Sequence, residues 1–316
     1  MSIASTMKKD LKQFYEEYIG EKEYSSGLRL QTLKSYKEVF KHFTTTMYEV
    51  KTVEDLTTEM MNLFFKRIKT RTRIVGINTP KVGLAHSTIK TYANKLNAFF
   101  EWLVIRHNLK QNPLKTIKIP YPEYTDSRAL SKEDIQKIIT AVSLHPENTL
   151  IFKRDTMMLY LLFYCGLRKG ELIGLRVIDV DFEKRLLTVR ADTSKSKKTR
   201  SITINPTLLF HIKEYIQERN KRGLKTPSLI VSSSRDEGLT THGVKHWVKK
   251  LIKTSGVKFH IHRFRHSFAC ALDQAGSNVS SIQKLMGHSD PKMTQSYLRS
   301  RKAEDCRDDI DRLSLM

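Results

Sequence analysis

Little in this 316-residue chain can be cross-linked: its three cysteines, Cys165, Cys270 and Cys306, are scattered without CxxC spacing. Neither a disulfide framework nor a cysteine zinc site is indicated, and a reducing, cytoplasmic compartment fits. Long hydrophobic runs are also missing. The longest apolar stretch, Met157 to Cys165, falls far short of the roughly 20 residues that a membrane span needs. The polar start, Met1 to Tyr15, has no signal-peptide apolar core. Acidic charge is the third shortage. Against 56 Lys and Arg stand 33 Asp and Glu, a net of +23.

What is present excludes a disordered polycation, because hydrophobic residues reach 39% and aromatics 9%, enough to build packed cores. At roughly 100–200 residues per domain, the length predicts two domains. A strongly basic protein of this kind expects a polyanion as partner, most commonly nucleic acid. The charge is distributed. Residues 1–60 carry 9 basic and 10 acidic side chains, residues 61–120 carry 12 and 1, and residues 121–316 carry 35 and 22. Such runs read either as solvated faces or, with two basic halves joined by a linker, as a clamp that grips a duplex from both sides.

Pro113, Pro120 and Pro122 favour extended backbone before Ser131 and Asp134, which form a capping-box-like helix start. The expected layout is a helical domain over 1–120, a linker over 121–127 and a second domain over 128–316. In the first domain, Leu33, Tyr36, Phe40 and Phe43 recur at helical spacing, as do Ile89, Tyr92, Leu96, Phe99 and Leu103. Between them, Lys66, Arg67, Lys69, Arg71 and Arg73 lead into a Gly/Pro loop, Val75 to Gly83, readable as a phosphate-contacting edge or as a solvated loop. The second domain reads as helices over 131–142 and 155–165, broken by Gly166. Three short strands follow, over 177–180, 186–190 and 201–204, and helices resume from about Thr207. The fold class is therefore mainly α with a small antiparallel β-sheet.

Four spots carry candidate chemistry. Arg168 follows the helix-ending Gly166, with Glu171 one turn on; by itself this is a surface ion pair. Lys195 lies in a lysine-rich turn, Asp192 to Arg200, which is ordinarily a solvated tip. In His262-Arg263-Phe264-Arg265-His266, His262 and Arg265 share a helical face, while Phe264 and Phe268 turn to the core. His262 and His266, with His260 nearby, also have a metal-like i,i+4 spacing, but no acidic or cysteine ligand stands at a familiar zinc spacing. Gly287 suits a helix C-cap and Asp290-Pro291 the next helix start, so His288 projects from a tight corner. Tyr297 follows two turns later, where a lone helical tyrosine usually packs.

Together these resemble the tyrosine recombinases, the phage integrase family. The signature is G-L-R-x-G-E-L at 166–172, Lys195 on a hairpin, H-x-x-R at 262–265, G-H at 287–288 and Tyr297 nine residues later. The resemblance implies a helical core-binding domain followed by a mixed α/β catalytic domain. It also implies cleavage and rejoining of DNA through a covalent 3′-phosphotyrosine. In that chemistry Tyr297 is the nucleophile, and Arg168 and Arg265 clamp the non-bridging oxygens. Lys195 protonates the leaving 5′-oxygen, with Lys197 and Lys198 as competitors. His262 and His288, the latter at a position where members carry His or Trp, contact the phosphate and assist proton transfer. Glu171 buttresses the site. No cofactor and no metal are implied, because arginines do the charge work of a metal ion.

The same resemblance implies double-stranded DNA with a specific site as partner, a homo-tetramer on two duplexes, a Holliday junction, and accessory DNA-bending or directionality factors. It places the protein in the cytoplasm on the nucleoid. The segment 301–316, with Ile310, Leu313 and Leu315, is expected to form an amphipathic helix that docks on a neighbour. Few residues precede the first expected helix, Thr6 to Tyr18, so the expectation is a simple Xer-like type without an arm-binding domain. A type IB topoisomerase with a similar residue set, and a non-catalytic DNA-binding protein on the same fold, are the rival classes.

Overall fold

The computed structural model describes residues 10–76, 78–106, 108–119, 129–144, 147–194, 198–288, 290 and 294. The chain divides into two compact units, Met1–Tyr124 and Thr125–Met316.

In the first unit, α1 (Leu11–Tyr24) starts where the Asp10 carboxylate accepts the Lys12 amide and the Gln13 side chain accepts the Asp10 amide. The sequence placed this helix at Thr6 to Tyr18, a few residues early; the cap at Asp10 sets the start. Helices α2 (Leu30–Thr46), α3 (Thr58–Thr70) and α4 (His86–Ile105) complete the bundle. The core is aromatic. Tyr15 stacks on Phe40 with centroids 3.6 Å apart, and Phe99 meets both edge-on.

Between α3 and α4 the expected loop is instead an antiparallel hairpin, β1 (Thr72–Val75) and β2 (Thr79–Val82). Thr72, Ile74, Val75 and Val82 are β-formers, and this short patterned run reads as strand once the two segments can pair. Not all of the basic residues that lead into it face solvent. Arg67 pairs with Glu49 at 2.7 Å and donates to the Thr46 carbonyl.

The second unit begins with α5 (Lys132–Leu144), where the Ser131 hydroxyl accepts the Asp134 amide. The central helix α6 (Thr149–Cys165) is buried almost all round through Met157, Met158, Leu161, Leu162 and Cys165. The short α7 (Lys169–Ile173) follows it. Of the three expected strands the first is largely a 3-10 turn, Val177–Asp179, because the Asp179 carboxylate captures the Arg176 amide at 2.7 Å. Only β3 (Val180–Asp181) pairs, giving an antiparallel sheet in the order β3, β4 (Leu186–Val189), β5 (Arg200–Thr203). Leu187 sits opposite both Val180 and Ile202, so these three face the core together.

Helices α8 (Pro206–Lys221), α9 (Thr241–Ser255), α10 (Ile261–Gln274) and α11 (Val279–Met286) close the unit, with α8 and α10 packed on α6. Among the described residues no helix is long and apolar enough to cross a membrane. Lys195, Lys197, Tyr297 and the segment 301–316 lie outside the described residues.

Candidate active site

Helix α6 ends at Gly166, which adopts the left-handed conformation (φ 55°). A Cβ there would stand 2.3 Å from the Phe268 ring, so the close approach of α10 and the backbone turn both require glycine. The reversed chain buries Leu167 and turns Arg168 out as the residue preceding α7. Glu171, in the first turn of α7, accepts the Arg168 amide at 2.9 Å and its guanidinium at 2.8 Å.

Glu171 is fully buried, and Arg168 is not its only partner. Arg200, the first residue of β5, donates from Nη1 to Oε1 at 3.0 Å and from Nη2 to Oε2 at 2.8 Å. Ser194 also reaches Oε1, at 3.4 Å. Burial pushes this carboxyl up, but the Arg200 hydrogen bonds and charge, followed by those of Arg168, outweigh it and hold it at about 2. The expected surface pair is thus a buried hub. Arg200 went unnoticed in the sequence, although a signal exists: it shares an alternating face with the buried Ile202 and Ile204. A cation pointing inward on a strand needs an anion inside.

Arg265 enters from the first turns of α10 and is wholly buried. It donates to the carbonyls of Gly166 (2.7 Å) and Met286, so both glycine-containing corners are tied to it. Its Nη1 lies 4.0 Å from Glu171 Oε2. Among the described residues, Arg168, Arg200 and Arg265 with Glu171 leave two net positive charges in this cluster.

Helix α11 ends at Gly287 (φ 63°), and His288 turns inward behind it. Its Nε2 is 2.9 Å from Arg265 Nη2 and its Nδ1 is 2.9 Å from Thr294 Oγ1. Arginine can only donate, so Nε2 accepts, and the ring proton of this neutral tautomer sits on Nδ1 toward Thr294. Desolvation and the charges of Arg265, Arg168, Arg200 and His262 push this imidazole down to about 3. Thr294, fully buried, is a second residue the sequence reading missed; its spacing from His288 alone carried no signal.

His262 stays exposed on α10, its ring 5.4 Å from that of His266 in a T-shaped contact. Neighbouring residues hold α10 in place: Ser267 accepts the Leu130 amide at 2.8 Å, and Arg263 donates to the Ala129 carbonyl at 3.0 Å. Among the described residues no group of three or more His, Cys, Asp or Glu side chains is placed to hold a metal.

Of the expected site residues, Arg168, Glu171, Arg265 and His288 meet in one cluster, and the exposed His262 is near enough for its charge to act on His288. The chemistry open to this cluster is that of a tetrahedral oxyanion, held by guanidiniums fixed before it arrives. That is the class of site used in phosphoryl transfer.

Comparison with known proteins agrees. Residues 128–304 match the phage integrase family. The tyrosine recombinase XerA of Pyrococcus furiosus is 31% identical over 236 residues, covering 74% of this chain and 77% of the relative. A tyrosine recombinase of Thermosipho africanus is 29% identical over 269 residues, covering 84% and 88%. Among solved structures, the Tn1549 transposon integrase in complex with transposon right end DNA superposes with a TM-score of 0.77 at 19% identity, over 97% of this chain and 100% of that one. A lambda integrase dimer bound to a core site gives 0.69 at 20% identity, over 90% and 97%. The chain belongs to the phage integrase family and is a tyrosine recombinase, an enzyme that cleaves and rejoins DNA strands at specific sites.

Proposed function

We propose that Tyr297 attacks the scissile phosphorus and expels the 5′-oxygen, leaving a 3′-phosphotyrosine that conserves the bond for religation without a nucleotide cofactor. Arg168 and Arg265 hold the non-bridging oxygens. Lys195 delivers the proton to the leaving 5′-oxygen, and the exposed His262 receives the tyrosine proton. His288, neutral and bonded to Arg265, keeps that guanidinium aimed at the phosphate. Glu171 orients the arginines from behind. The observation that carries this reading is the convergence of Arg168 and Arg265 on one buried carboxylate. The excess of guanidiniums over Glu171, to which the Lys195 ammonium adds, opposes the double negative charge of a five-coordinate phosphodiester transition state.

The first unit acts as the core-binding domain and the second as the catalytic domain, both on double-stranded DNA carrying a specific site. Four chains on two duplexes exchange strand pairs in turn through a Holliday junction, with the segment 301–316 docking on a neighbour. Accessory DNA-bending or directionality factors would bias the outcome, and the cytoplasmic nucleoid is the place of action.

The test is a nicked duplex carrying the recombination site, obtained by in vitro selection, in which cleavage releases a short fragment and traps the adduct. The wild-type chain yields a protein–DNA species on a denaturing gel, and Tyr297→Phe yields none. An adduct formed by the Phe variant would refute the nucleophile.

A further inference from the structure

Arg200 stands between three pieces of the pocket. Its side chain is only 8% exposed, and each of its three guanidinium nitrogens is bonded to a protein group, so it serves those groups and not the phosphate. Its fork occupies both oxygens of Glu171, and its Nε donates to the Leu285 carbonyl at 2.9 Å, at the end of α11. The packing there is tight. A Cβ on Gly287 would lie 2.9 Å from Arg200 Cδ, so the residue before His288 is held to glycine in part by this side chain.

Both oxygens of Glu171 are shared: Arg200 reaches each with one arm of its fork, while Arg168 gives its amide to Oε2 and Nη1 to Oε1. A buried carboxylate that lost one fork would draw the remaining guanidinium fully onto itself. That guanidinium is the one needed at the DNA. We infer that Arg200 is a positioning residue: by holding both oxygens of Glu171 from behind, it limits the Arg168 guanidinium to its one Nη1 contact with that carboxylate and leaves the other side of the fork to face the scissile phosphate. Lysine at 200 keeps the charge but can neither bridge both oxygens nor hold Leu285 at the same time.

This inference rests on the proposed roles of Arg168 and Lys195, and the experiment separates the two. Single-turnover cleavage is measured on the selected duplex for wild type, Arg200→Lys and Lys195→Ala, with a 5′-bridging oxygen and with a 5′-bridging sulfur. Sulfur leaves as a thiolate without needing a general acid. R200K is expected to bind the duplex within about threefold of wild type and to cleave it about 100-fold more slowly, the scale of a misplaced catalytic group. The deficit persists with sulfur, because the clamp is still required. In a Glu171→Gln background, adding R200K costs less than about threefold, because its target is already gone.

Wild-type cleavage by R200K would overturn the inference. So would restoration of its rate by sulfur, which would assign Arg200 to the leaving group, or a loss of cleavage no larger than the loss of bound duplex. If sulfur fails to rescue K195A, the acid assignment falls while the R200K result still stands on its own.

Discussion

Replacing Glu171 by glutamine removes the one anion among three buried or half-buried guanidiniums while preserving side-chain shape. The cost can be worked in two ways. The carboxyl is held at about 2 in the folded chain, against the 4.5 of an unperturbed glutamate. At 1.36 kcal/mol per unit this is about 3 kcal/mol of stability carried by the charged form. Removing one partner of a buried ion pair independently costs about 3–5 kcal/mol. The two agree on roughly 3 kcal/mol. The sign follows from the depressed value: the contribution is full above pH 4.5 and is lost as pH falls through 2.

Each unit holds one of the chain's two tryptophans, Trp102 in the first and Trp247 in the second. Urea unfolding in a Trp102→Phe background, followed by Trp247 fluorescence, therefore isolates the second unit. E171Q should lower its stability by about 3 kcal/mol at pH 7 and flatten its loss of stability between pH 4.5 and 3. A change below about 1 kcal/mol, or an unaltered acid limb, would refute the buried-hub reasoning.

Two further outcomes follow from the same geometry. His288 is held at about 3, below the ordinary 6.5, so the folded chain binds this proton less readily than the unfolded chain. Its neutral form stabilises fully above pH 6.5, and that stability drains away as pH falls from 6.5 toward 3. His288→Phe should remove a slope of about 1.4 kcal/mol per pH unit below pH 6, seen as a difference between the two pH–stability curves. Parallel curves would show that His288 titrates normally. Gly166→Ala combines a left-handed backbone with a Cβ 2.3 Å from Phe268, and should destabilise the second unit by about 2–4 kcal/mol. DNA cleavage should fall further than binding because Arg168 shifts with the corner; an unchanged melting temperature would contradict this.

Much of the local architecture was legible in the residue order. Gly166 and Gly287 as helix ends, Ser131 as a cap, and the helical aromatic spacings of the first unit are all decided within four residues of chain, where one hydrogen bond or one backbone conformation suffices. The hairpin at 72–82 and the 3-10 turn at 177–179 were misread for the same reason in reverse. The hairpin depends on the pairing of one segment with another, which no single run displays, and the capture of the Arg176 amide by Asp179 competes with strand propensity and wins locally.

The sequence by itself determined the basic composition, the order and interval of the Arg168, Lys195, His262, Arg265, His288 and Tyr297 signature, and therefore the family and its chemistry. Only the tertiary structure decided what the charges do to one another. Glu171 meets Arg200 across 29 positions, Arg200 meets Leu285 across 85, and Arg265 meets Gly166 across 99. Whether an ionisable group is buried, which partner it has, and which ring nitrogen carries the proton depend on the folded environment. Exclusion of water and long-range packing supply that environment, and no local run of residues encodes it.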